Sequence, residues 1–394
     1  MVPPRPVGAL ILGAILAGGA RCAPLEARTV QPDSLLGSSP AHASVTIHGD
    51  YVVDLLRAVG LGAGANLHHA LLGASVGGDH ASVRGYVSLF ANRGEGLGER
   101  LGDIQGTSSI DAPSSTRLYE AWAEVDLAGG DHTLRLGLYD RNGEFYVTEA
   151  AGLFLHAAHG MGPEFGLTGK AGPSVFPFTT LGVRVAVDLP GDFAWRVAAL
   201  DGAPGVPGDP EAWGIHLTAS EGALLVSEVE WARSDGRLRM LLGGWGYTSS
   251  FPSLSPGGGQ ATSGGNLGLY TVVEGALAGC RDGGACLLGF LRAGRAAPRY
   301  NPVAWATGSG LVFETSPGGW ALGAALAHAE SGEPYRQSEP TQVGPREVGL
   351  EVTGRIPVTR HLAILPDAQL LSDPGMCAKH RRVWLGGVRV ALTF

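Results

Sequence analysis

A hydrophobic alternation of period two recurs along this chain and runs to its last residue. Trp384, Gly386, Val388, Val390, Leu392 and Phe394 fall on one face of a strand, and Leu385, Gly387, Arg389, Ala391 and Thr393 on the other. The first face is apolar with an aromatic at each end, and the second is small with one charge. This is the pattern of a lipid-facing strand in a transmembrane β-barrel. Taken alone, the segment also reads as an edge strand of a soluble sheet.

The same period appears upstream. In 45–55, Val45, Ile47, Tyr51, Val53 and Leu55 oppose Thr46, His48, Asp50 and Asp54. In 81–89, Val83, Val87 and Leu89 oppose Ser82, Arg84, Tyr86 and Ser88. In 116–127, Tyr119, Ala121, Ala123, Val125 and Leu127 point outward, and Glu120, Trp122, Glu124 and Asp126 inward. Leu134, Leu136 and Leu138 oppose Arg135 and Tyr139; Leu181, Val183, Val185, Val187 and Leu189 oppose Arg184 and Asp188. Further segments lie near 193–200, 212–219, 224–232, 237–247, 266–277, 286–293, 303–313, 319–329, 346–356 and 361–370. Turn signals such as Pro190-Gly191-Asp192 separate them. Nearly every polar face carries Arg or Glu. A dry sandwich core cannot hold so many charges, whereas a water-filled lumen can. About 370 mature residues, at roughly 22 per strand with its loop, predict about 16 strands in an all-β, antiparallel barrel. The 63 glycines in 394 residues fit short strands, tight turns and small wall residues.

The amino-terminal end agrees. Arg5 precedes an apolar run over 7–17, followed by Gly18, Gly19 and Ala20, the pattern of an export signal too short to anchor in a bilayer. Residues 1–20 read as the signal peptide, with Ala27 the alternative end. Residues 21–43 read as a periplasmic leader and 44–394 as the outer-membrane barrel. Arg21, where a lipidation site wants a small residue, argues against a lipid on Cys22. The formal net charge of −8 argues against a nucleic-acid surface. Cys280 and Cys286 bracket the turn-like R-D-G-G-A, where an exported protein can form a disulfide; two unpaired thiols are the alternative. Cys377 and Cys22 have no obvious partner, and no cysteines or histidines show zinc-ligand spacing.

One stretch, 140–178, breaks the alternation. It holds E-A-A-G-L-F-L-H-A-A-H-G-M-G, partly helical in character, with apolar Leu153, Phe154, Leu155, Phe165, Val175, Phe176 and Phe178. A loop this long and this apolar is expected to fold inward or pack on the barrel mouth. His156 and His159, spaced H-x-x-H, lack further ligands and read as surface or interface histidines. There is no G-x-S-x-G elbow and no phosphate loop. The chain is read as a non-enzyme without cofactor or metal.

This region also carries a family likeness. The run from Gly102 to Pro113, G-D-I-Q-G-T-S-S-I-D-A-P, then Arg117-Leu118-Tyr119-Glu120-Ala121-Trp122, resembles the carbohydrate-selective porins of the OprB family. So do L-R-L-G-L-Y-D (134–140), E-F-Y-V-T-E-A-A-G-L-F-L (144–155), G-M-G-P-E-F (160–165), P-S-V-F-P (173–177) and, near the end, Pro366-Asp367-Ala368-Gln369 with Asp373-Pro374-Gly375. The resemblance implies a 16-stranded outer-membrane barrel that passes small sugars by diffusion, its pore narrowed by loops. A terminal Phe394 resembles the signal read by the outer-membrane assembly machinery, and a homotrimer is common among porins of this size. Ala121 and Ala123 depart from the family, where bulkier residues are usual.

Sugars offer hydroxyls and weakly apolar ring faces, so a selective pore needs charged or amide groups beside an aromatic, binding weakly enough to release. The inward-facing candidates are Arg84, Glu120, Trp122, Glu124, Arg135, Tyr139, Arg184, Glu228, Glu230, Glu351, Arg355 and Arg389, with Asp111 and Arg117 added from the family motifs. A lumen charge that serves only wall hydration is the competing role for each. Two other functions remain open: a general diffusion porin and a plugged structural or adhesive barrel. Single-channel conductance identifies a plugged barrel. Flux of sugars against amino acids of equal size separates the two porins.

Overall fold

Sixteen antiparallel strands close into a barrel in which nearly every strand pairs with its neighbours in sequence. The structure is a computed structural model that describes residues 44–77, 82–127, 132–205, 220–256, 262–263, 265–280, 284–338 and 340–394. The strands are β1 (Ser44–Ala58), β2 (Ala63–Gly77), β3 (Val83–Glu95), β4 (Ser115–Leu127), β5 (His132–Tyr139), β6 (Thr180–Leu189), β7 (Phe193–Asp201) and β8 (Ala223–Ala232). They continue as β9 (Leu238–Tyr247), β10 (Leu267–Gly279), β11 (Cys286–Ala296), β12 (Val303–Glu314), β13 (Ala321–Ser331), β14 (Arg346–Pro357), β15 (Leu362–Ser372) and β16 (Arg382–Thr393). β16 returns to pair with β1 and closes the wall. A ribbon of Ser250–Phe251 with Thr262–Ser263 lies outside the wall.

The alternation has the expected physical meaning. Leu242, Leu269, Leu291 and Leu322 are between 60% and 64% exposed on the outer surface. A continuous band of this kind faces lipid rather than water. Among the described residues no helix is long and apolar enough to cross a membrane. Connections alternate between two ends. One end has short turns such as 190–192, 233–237, 315–320 and 358–361; the other has the long segments 96–114, 140–179 and 332–345. Cys280 and Cys286 are disulfide-bonded at the short-turn end, and Cys377 is a free thiol.

Segments 96–114 and 140–179 fold into the barrel. Phe145, Tyr146, Phe165 and Phe176 are wholly buried there, and Arg141 lies buried with its guanidinium 4.1 Å from the Phe165 ring centre. Glycines on the inner wall make the room. A Cβ at Gly294 would sit 1.8 Å from Glu164 Oε1, and one at Gly323 would sit 2.7 Å from the Phe154 ring. Much of the glycine excess therefore serves the space inside the barrel as well as turns.

Several readings change. β2 does not stand out as an alternating segment, because its inward Leu67, His69 and Leu71 are as apolar-facing as its outward Leu72 and Val76. Leu67 and His69 are fully buried, and His69 meets the Phe176 ring edge-on at 5.3 Å. The segment near 212–219 lies outside the described residues, as do the signal, the leader and Cys22; β7 pairs directly with β8. Tyr119 points inward rather than outward. A register shift between β3 and β4 turns it inside, where it is 5% exposed and donates to Asp140 at 2.5 Å. The helical character of 140–178 amounts to short turns, Glu149–Ala151, Ala157–His159 and Pro163–Gly166. His156 and His159 are buried, not at the surface.

Candidate functional site

Strand register brings four charged side chains into one row on the inner wall. Arg84 of β3 is opposite Glu124 of β4, Glu124 is opposite Arg135 of β5, and Arg135 is opposite Arg184 of β6. Two arginines facing each other across a pair would repel. Glu124 and Glu144, the latter from the inward segment, bridge them. Arg135 reaches Glu124 at 2.9 Å and Glu144 at 3.3 Å, and Arg184 reaches Glu144 at 2.6 Å and also pairs with Glu124. Arg84 contacts Glu124 at 3.0 Å and pairs with Asp126.

The ladder continues around the wall. Arg196 of β7 meets Glu230 at 2.6 Å and Glu228 at 3.3 Å, and Arg239 of β9 meets Glu230 at 3.1 Å and Glu274 at 2.7 Å. At this end lies an open cavity of about 210 Å³ lined by Gly143, Glu144, Val147, Glu149, Arg196, Glu230 and Arg239. Its two guanidiniums and three carboxylates leave a balance of 2 − 3 = −1. Such a surface offers donors and acceptors side by side without a strong field of one sign. It can hydrogen-bond a neutral polyhydroxylated solute and gives a bare ion little net attraction.

Other carboxylates hold the inward segments in place. The amides of Leu155 and His156 donate to Glu351 at 2.6 and 3.1 Å; those of Ile104 and Gln105 donate to Glu347, both at 3.0 Å. The Tyr146 amide donates to Glu228 at 2.8 Å, and the Ala150 amide to Glu274 at 2.8 Å. Asp54 accepts from Ser108 Oγ at 2.7 Å and from Arg389 Nε and a terminal guanidinium nitrogen, each at 2.6 Å. Loop amides within an apolar plug need acceptors, and the wall supplies them as charged ones. Burial pushes the Glu164 carboxyl up to about 7. Burial, with Arg292 nearby, pushes His156 down to about 3.

The expected site residues therefore divide. Arg84, Glu124, Arg135, Arg184 and Glu230 belong to the ladder. Glu228, Glu351 and Arg389 are buried and serve as anchors. Asp111 accepts from the Gly98 amide at 3.2 Å, and Arg117 lies 4.6 Å from the Phe178 ring centre. Glu120 accepts from the Asp140 amide at 3.1 Å. Tyr139 is fully buried, and one face of Trp122 is covered by the Arg135 guanidinium at 3.8 Å from the ring centre. Arg355 sits at the short-turn end with Glu314 at 3.1 Å. Arg196 and Arg239 were absent from the candidates, although strand parity places both on inner faces. Glu144 and Glu149 come from an aperiodic segment, where no pattern marks them.

A family model described as "Carbohydrate-selective porin, OprB family" matches residues 53–394. No curated protein matches the chain. Among solved structures, a high-pH form of Pseudomonas putida OprB superposes with a TM-score of 0.77 at 15% identity, over 89% of this chain and 94% of that one. The low-pH form gives 0.57 at 14% identity, over 89% and 92%. The outer-membrane channel DcaP of Acinetobacter baumannii gives 0.54 at 13% identity, over 91% and 99%. At these identities the likeness bears on the fold.

Proposed function

The chain belongs to the carbohydrate-selective porin family, OprB, and from that premise we propose that it lets small sugars diffuse passively through the outer membrane into the periplasm. The observation that carries this reading is the paired Arg–carboxylate ladder ending at the open cavity beside Arg196, Glu230 and Arg239. Each of its groups already has a partner, so a sugar hydroxyl exchanges one hydrogen bond for another. Net gains of about 1 kcal/mol per contact suit a solute that must also leave. Export by the amino-terminal signal and insertion guided by the strand ending at Phe394 complete the proposal.

Proteoliposome swelling tests it. Glucose should enter faster than a zwitterion of equal size. Arg135→Ala and Arg239→Ala should change the ranking among sugars more than they change bulk ion conductance. Equal rates for glucose and the zwitterion would replace the sugar-selective reading with general diffusion.

A further inference from the structure

The ladder supplies contacts for hydroxyls but little for a sugar's ring face, since one face of Trp122 is covered by Arg135 and Tyr139 is buried. Another pair of rings on the inner wall is placed for that contact. His48 of β1 and Tyr86 of β3 both lie on inward faces and are partly exposed. Their planes differ by only 9°, with centres 5.6 Å apart, and His48 Nε2 is 3.1 Å from the Tyr86 hydroxyl oxygen. The two rings are thus nearly parallel and linked through this polar contact. Between them on β2 stands Gly73, where a Cβ would lie 2.5 Å from the His48 ring and 2.7 Å from the Tyr86 oxygen. The strand separating the rings has no side chain there to push them apart.

The surroundings match a pyranose. Tyr86 is opposite Trp122, whose ring centre is 5.5 Å away, and Trp122 carries the Arg135 guanidinium on its face. Arg84 is two residues along β3 on the same face as Tyr86, in the charged row itself. A parallel pair of aromatic rings therefore adjoins donors and acceptors at the β3–β4 end of the ladder, opposite in the row from the Arg196–Glu230–Arg239 cavity. A polar solute without a ring gains nothing from such a surface; a pyranose gains both a face contact and edge hydrogen bonds.

We infer that the joined rings of Tyr86 and His48 are a stacking station for pyranose sugars, and that Tyr86 sets the preference for cyclic sugars over open-chain polyols. The inference rests on the reading of the lumen as a sugar path. It is tested in planar bilayers by titrating the block of ion current with glucose and with sorbitol, an open-chain polyol, each variant being normalised to its own open current. Tyr86→Leu should raise the half-blocking glucose concentration by about tenfold, the scale of one ring contact. Tyr86→Trp should stay within about twofold of the parent, and sorbitol block should be the same in all three. His48→Ala leaves Tyr86 in place and should cost about threefold, which keeps the test open if Tyr86→Leu does not assemble. Unchanged glucose block in Tyr86→Leu or His48→Ala, a Trp variant as weak as the Leu variant, or a parallel loss with sorbitol overturns the station while leaving the porin reading intact. Absence of glucose block in the parent, by contrast, counts against both.

Discussion

Asp54 and Arg389 are partners across the seam where β1 meets β16, and both side chains are fully buried. Arg389 also donates to Ser109 Oγ at 3.1 Å, so one ion pair ties the closure of the wall to the inward 96–114 segment. Removing one member of a buried pair strands the other, at a cost of about 3–5 kcal/mol. Asp54→Ala should lower the urea midpoint of the heat-modifiable folded form accordingly. Arg355→Ala, whose pair with Glu314 remains partly hydrated, should cost less than about 1 kcal/mol. Equal shifts for the two variants would contradict this ranking. Glu164 gives a pH-dependent case. Its buried carboxyl titrates near 7, above the ordinary 4.5, so the folded state binds the proton more tightly than the unfolded one. Its contribution is present in full below about pH 4.5 and is lost as pH rises through about 7, by up to about 3 kcal/mol. The depressed His156 has the opposite sign, its contribution being lost as pH falls below about 6.5 towards 3. The difference in stability between the parent and Glu164→Gln isolates the first effect and should move against the parent from pH 4.5 to 7. A flat difference would show that Glu164 does not titrate in that window. In the sequence, Arg135 and Arg184 were legible as inward charges by parity. Their bridge through Glu144 was not, because no period marks a loop residue.

At the scale of elements, carboxylates on inward strand faces hold the loops that narrow the barrel. Glu351 of β14 accepts two amides of the 140–179 segment. Glu351→Ala leaves both unpaired, at about 1–3 kcal/mol each, so the segment should loosen while the wall persists. Single-channel recordings should then show larger and noisier conductance with a smaller preference for sugars. A quiet channel of parental conductance would mean that the apolar packing of Phe154 and Phe165 suffices. Strands with one hydrated face were readable because lipid and water impose opposite demands on alternate residues, as in β3 and β4, whose inward Arg84 and Asp126 stay partly exposed. β2 was hidden for the complementary reason. Around Leu67 and His69 its inner face packs on the plug, His69 against Phe176, so the inward residues there are buried and the alternation fades. The inward fold of 140–179 was legible from its apolar content, and its acceptors on Glu228, Glu274 and Glu351 were not, since they are distant in sequence.

For the whole molecule, the wall closes where Phe394 exchanges backbone hydrogen bonds with Gly49, 2.8 and 2.9 Å long, and lays its ring where a Gly49 side chain would be. Phe394→Ser and Gly49→Val should both reduce the yield of heat-modifiable protein in the outer membrane, the first by removing the ring and the second by displacing it. Parental yield from both would free this contact of any part in assembly. The seam also has a consequence in time. Asp54 meets Arg389 at a sequence separation of 335, and contacts this remote are the ones that complete the wall. Until β16 is in place, β1 has an open edge with no mate. Such a topology cannot mature segment by segment as it is made. The chain stays unclosed until that pairing forms, and a delay leaves the first edge available to any other strand it meets.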